Sequence, residues 1–133
     1  MSGAVPTEIA LLGWSIPLVA VHIVLAAQLG NREHGLKWAA GPRDEPAPPP
    51  SPLLGRARRA QANLLETYPL FVAAVLAVAV VGRFDLWSLV GAHLYVWARV
   101  AYLPLYLAGV PLVRSLVWNL GLLGTFMVAA QLI

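Results

Sequence analysis

Arg59-Ala60-Gln61-Ala62-Asn63-Leu64-Leu65-Glu66 sets the terms on which the rest of this chain is read. At about 100° per residue, Arg59, Asn63 and Glu66 fall within roughly 60° of one another on a helix. They form one polar stripe, with alanines and leucines on the remaining surface. The stripe runs on into Tyr68-Pro69-Leu70-Phe71 and an Ala/Val-rich run that ends near Val81. A cation, an amide and a carboxylate are thus carried into an apolar segment along one side of one helix. Burying them in lipid is expensive, so they are expected to face a bundle interior or a wet cavity, with partners opposite.

Composition sets the class. Of 133 residues, 59% are hydrophobic and only 11% charged, which is too apolar for a soluble domain of this size. Four windows, residues 8–30, 54–82, 86–108 and 112–133, each supply the roughly 20 mostly apolar residues that a span needs. Nothing is left for a second domain. The expectation is an all-α membrane protein, residues 1–133 forming a single domain of four transmembrane helices. Cysteine is absent, which removes disulfides, thiol catalysis by the protein and thiolate metal sites. Any sulfur chemistry must arrive with a substrate; no metal centre and no nucleic-acid partner is expected.

The first window has no basic residue before it and no small-residue cleavage site after it, so it reads as a retained span. Pro6 and Thr7 suit its start and Gly30-Asn31 its end. Pro17 is expected to kink it, and His22 inside it to serve as an interhelical hydrogen-bond partner. The loop over residues 31–53 closes in a proline-rich, stiff connector, with room for a short helix around residues 34–40. Six of the nine Lys/Arg residues lie from Arg32 to Arg59. The positive-inside rule then places this loop in the cytoplasm and both termini on the opposite side. Abundant Arg, Ala and Pro beside a single lysine suggest a GC-rich bacterial source, hence an inner membrane.

A second polar stripe lies on the third window. Arg99, Tyr102 and Tyr106 share about 60° of helix surface, and Asp85 is placed to cap that helix. His93 points elsewhere and reads as structural. Pro111 starts the fourth window, with Arg114 and Ser115 in its first turn. Given the topology, three helices deliver Arg59, Asn63, Glu66, Arg99, Tyr102, Tyr106, Arg114 and Ser115 to one membrane layer. Each also has a plainer reading. Arg59 can snorkel to headgroups with Arg56 and Arg58, the tyrosines and Arg114 can be interfacial anchors, and Glu66 can pair internally with Arg99.

The motif Arg59-Ala-Gln-x-Asn63-x-x-Glu66-x-x-Pro69-Leu-Phe, followed by Ala98-Arg99-Val-x-Tyr102-x-x-x-Tyr106, closely resembles the MAPEG family. These are the membrane-associated proteins in eicosanoid and glutathione metabolism. The resemblance covers essentially the whole chain. It implies a homotrimer of four-helix subunits that binds glutathione between neighbouring protomers, open to the cytoplasmic side. It makes Arg59, Asn63, Glu66, Arg99, Tyr102 and Tyr106 glutathione contacts. Arg114 is then the arginine at the thiol and Ser115 its neighbour. Gln61 matches too, although it lies off the stripe and needs a site shared between subunits. Thr67 and Tyr102 depart from residues found in relatives, as does Trp118, and these departures bear on the second substrate.

The chemistry is consistent with that implication. Arginines recognise carboxylates bidentately, Glu66 can take the ammonium, and Asn63 and the tyrosines can hold the peptide. A guanidinium and a helix N-terminus near a thiol favour its thiolate. The expected function is a membrane-bound glutathione transferase, also able to act as a peroxidase, on lipophilic small molecules arriving from the bilayer. A noncatalytic lipid-binding relative and a small four-span drug/proton exchanger are the alternatives.

Overall fold

The computed structural model describes residues 3–133, and the described residues are almost entirely helical. Helix α1 spans Thr7–His34, the short α2 Leu36–Ala40, α3 Pro52–Val81, α4 Leu86–Ala108 and α5 Pro111–Ala129, followed by a 3-10 turn over Ala130–Leu132. The helix ends follow local chemistry. Ser51 caps α3, accepting from the Leu54 N–H, with Pro52 at the first helical position. Asp85 and Ser88 form a reciprocal capping box at the start of α4, in which each side chain satisfies an otherwise orphaned N–H.

The end of α1 differs from expectation. The helix runs through Gly30 and Asn31 and stops at Gly35, whose φ of 84° is one that side chains rarely adopt. Gly30 instead sits where α1 meets α3, and a Cβ there would lie 3.3 Å from Arg58 Nη2 and 3.9 Å from Leu54 Cδ1. That glycine serves close packing, and the breaker is the later one. Pro17 lies inside this helix, which runs on past it to His34. His22 is buried but is no interhelical bridge: its Nδ1 donates to Leu18 O, 2.9 Å away in the same helix, and its Nε2 has no partner.

Helix α4 is the hub, in contact with α1, α3 and α5. Its closest neighbour is α5, because glycines let the two backbones touch. A Cβ at Gly124 would lie 2.4 Å from Gly91 O, and Gly121 faces Ala98, Tyr95 and Arg99. Small residues are the usual means of close helix approach where lipid gives no hydrophobic drive. Toward α3, Tyr95 stacks on Phe71 at 4.1 Å and its hydroxyl meets Thr67 Oγ1 at 3.2 Å. Toward α1, Ser88 Oγ donates to the buried Glu8 carboxylate at 2.7 Å. Glu8 meeting Ser88 sets α1 and α4 start to start. Gly30 near Leu54 and Arg56 bonded to Leu107 set α3 antiparallel to both.

Helices α1 and α3, and the segment Pro111–Leu132, are long and apolar enough to cross a membrane, and at most a third of each apolar window is buried inside the chain. Their outward faces carry Trp14, Ile16, Val80, Leu112 and Phe126, as suits contact with lipid or a neighbour. Helix α4, at 23 residues, has the length of a span, but its polar residues are spread along it and leave no window as apolar as theirs. It carries His93, Arg99 and three tyrosines, and it turns Ser88, Tyr95, Arg99 and Tyr102 inward.

Candidate functional site

The start of α3, the end of α4 and the start of α5 meet at one end of the molecule. Asn63 from α3, Tyr102 and Tyr106 from α4, and Arg114, Ser115, Trp118 and Asn119 from α5 line a cleft of about 350 Å³ there. The i, i+4 spacing of Tyr102 with Tyr106, and of Arg114 with Trp118, is what puts each pair on one face. The tyrosine rings meet edge-on at 5.5 Å. Tyr106 is the electrostatic centre: the Arg114 guanidinium lies 4.6 Å from its ring centroid and that of Arg59 6.0 Å. Two cations from two helices thus share one aromatic face system, an attraction of about 0.5–2 kcal/mol each. No carboxylate lines the cleft among the described residues, so its potential is positive.

Arg99 sits behind this lining rather than on it. It is 1% exposed, stacks at 4.1 Å on the Tyr102 ring, and donates from Nη1 to Asn63 Oδ1 at 2.9 Å. Its Nε and Nη2, the two donors of one guanidinium edge, are buried without a hydrogen-bond partner. The internal Glu66–Arg99 pair, the plainer reading of those two residues, is not formed. Glu66 is exposed, because the helix turn that aims Asn63 at α4 carries Glu66 past it to the outer surface. Leaving a buried donor unpaired costs about 1–3 kcal/mol, and more for a charged group. That edge is spaced to take both oxygens of a carboxylate.

The single chain therefore assembles Asn63, Tyr102, Tyr106, Arg114 and Ser115 around the cleft, with Arg99 behind them and Arg59 reaching Tyr106. It does not bring Glu66 or the half-buried Gln61 into the lining. Ser115 Oγ is engaged with Pro111 O at 3.1 Å in its own helix, and Asn119 Nδ2 donates to Ser115 O at 2.8 Å. Asn119, unremarked in the sequence, was legible as the residue four on from Ser115. Trp118, named there only as a departure from the family pattern, lines the cleft with its Nε1 buried and unpartnered.

A sequence model of the MAPEG family matches residues 11–133, nearly the whole chain, and the chain belongs to that family. No curated protein and no solved structure matches it.

Proposed function

We propose that this MAPEG-family chain is a membrane-bound glutathione transferase, with peroxide reduction as a second use of the same thiol. The observation that carries the reading is the unpaired edge of Arg99 behind an electropositive cleft. A tripeptide with two carboxylates and one thiol fits these residues. Arg99 and Arg59 offer carboxylate recognition, and Asn63 and Tyr102 offer amide and hydroxyl contacts. Bound glutathione supplies the sulfur nucleophile. Its free thiol, of pKa about 8.5, is mostly protonated at neutral pH. Arg114 is the group that favours the thiolate, helped by the amides at the start of α5. Lowering the thiol pKa by two units requires about 2.7 kcal/mol, within reach of one guanidinium in a low-dielectric site. The lipophilic acceptor enters from the bilayer.

Glu66 and Gln61 lie outside the lining of the single chain, and the apolar faces of α1, α3 and α5 are unpartnered. We read both as features of a homotrimer in which a neighbour's α3 completes each site. In this reading α4 is a fourth crossing, whose Ser88, Tyr95, Arg99 and Tyr102 are tolerated because they face protein. The basic first loop faces the cytoplasm, as in a bacterial inner-membrane protein. Purified protein is to be given glutathione and an aryl halide such as 1-chloro-2,4-dinitrobenzene. Conjugate formation well above the uncatalysed rate is expected, and a rate equal to that of buffer overturns the transferase reading. Native mass measurement in detergent is expected to give three copies; a monomer that still binds glutathione overturns the shared site.

A further inference from the structure

The arginine cluster before the first motif is not uniform. Arg58 and Arg59 are exposed, whereas Arg56 is half-buried and reaches across from α3 to the end of α4. Its Nη1 donates to Leu107 O at 3.2 Å. It also lies against Gly109, where a Cβ would come within 3.0 Å of the Arg56 guanidinium carbon. Gly109 has a φ of 75° and ends α4, so its left-handed backbone favours glycine there, and the Arg56 guanidinium lies over its bare surface.

The carbonyls at the end of α4 are shared out. The Val110 N–H donates to Leu105 O at 3.1 Å and the Gly109 N–H to Tyr106 O at 3.0 Å, the crossed pair that closes a helix on a glycine. Leu107 O is left over, and Arg56 takes it. A cation at that point also opposes the negative end of the helix. The turn so held is only Gly109-Val110, after which Pro111 begins α5. Tyr106 lies just before the turn and Arg114 one helical turn after it, and these two make the 4.6 Å cation–ring contact in the cleft.

We infer that Arg56 is a positioning residue, a latch from α3 that sets the α4–α5 turn and thereby places Arg114 against Tyr106 in the cleft. The inference rests on the transferase reading for its functional half, and on the turn's geometry alone for its structural half. A headgroup-snorkelling Arg56 predicts neither effect below.

The test compares wild type with Arg56→Gln, Arg56→Lys and Arg58→Gln, the last removing a neighbouring exposed cation. Amide hydrogen exchange at Gly109 and Val110 is expected to speed up about tenfold or more in Arg56→Gln, to recover in large part in Arg56→Lys, and to stay at the wild-type rate in Arg58→Gln. Turnover of glutathione with the aryl halide is expected to fall about tenfold in Arg56→Gln, with KM for glutathione within threefold. The pH profile of that turnover should shift toward the free thiol. Unchanged exchange at Gly109 and Val110 overturns the latch whatever the activity. Faster exchange with unchanged turnover and pH profile reduces Arg56 to a helix cap and overturns its positioning role. A wild type without conjugating activity sinks the transferase reading instead, and the exchange arm then still decides whether the latch exists.

Discussion

The two ends of this molecule treat buried polar groups in opposite ways. Toward the starts of α1 and α4, polar groups find one another: Glu8 takes the Ser88 hydroxyl, Ser15 meets Tyr68 at 2.7 Å, and Thr67 meets Tyr95. At the other end, Arg99 keeps one guanidinium edge unpaired, Trp118 has an unpartnered indole N–H, and two arginines crowd one tyrosine ring. Paired groups hold helices in register. Unpaired ones lack that restraint, and the Arg99 edge and the Trp118 indole lie at the cleft that α3, α4 and α5 build jointly, whereas the unpaired His22 Nε2 lies within α1. The difference separates polar groups whose hydrogen bonds are met within the chain from those whose hydrogen bonds are not.

Arg114→Ala should break the contrast most sharply. Turnover at neutral pH is expected to fall by about 10- to 100-fold and to recover partly as pH rises toward the free thiol value near 8.5. Glutathione affinity at low pH should change little. Titrating thiolate absorbance in the near ultraviolet checks this; identical curves for mutant and wild type would leave Arg114 as a membrane anchor. Arg99→Met is next. Replacing a buried charge that has no counter-ion by an apolar chain of similar length removes its desolvation cost, which offsets the lost bond to Asn63, so the melting temperature of the ligand-free protein should hold or rise. Glutathione affinity should drop by more than tenfold. A variant that loses stability but still binds would make Arg99 a structural residue.

Glu66→Gln tests whether a neighbour completes the site. Glu66 is exposed in the single chain, so a loss of affinity of about tenfold by calorimetry requires that assembly bring it to the ligand. Unchanged affinity would confine the site to one subunit. The smallest effect on turnover and affinity belongs to the closed end. Ser88→Ala removes the donor to Glu8 and one half of the capping box, worth about 1.5–3 kcal/mol for a hydrogen bond to a charged group. The melting temperature should fall, while turnover and glutathione affinity stay within twofold. A larger change in turnover would show that the two ends are coupled.

Much of this was legible along the chain. Local rules suffice for the helix boundaries at Pro52, Gly82, Asp85 and Pro111, since caps and breakers act within a few residues. Hydropathy suffices for a membrane protein, because the cost of exposing apolar runs to water does not depend on what they pack against. The gathering of Asn63, Arg99, Tyr102, Tyr106 and Arg114 followed from helical spacing together with the direction of each span.

Other features depend on contacts between segments distant in sequence. Gly30 and Gly35 are equivalent as breakers, and the packing of α1 on α3 assigns the first to close approach and leaves the second to end the helix. Arg99 could have paired with Glu66 as readily as with Asn63; the rotation of α3 against α4, set by Phe71 on Tyr95 and Thr67 beside it, turned the amide inward and the carboxylate out. Arg56, Arg58 and Arg59 read alike as a basic cluster, yet only the crossing of α3 over the end of α4 gives Arg56 a carbonyl to hold. The sequence by itself determined which segments are helices and which stripes are polar, because those follow from period, caps and hydropathy. Which polar group finds a partner, and which is left waiting for one, was decided by how the helices rotate on packing, a choice made by contacts between side chains tens of residues apart.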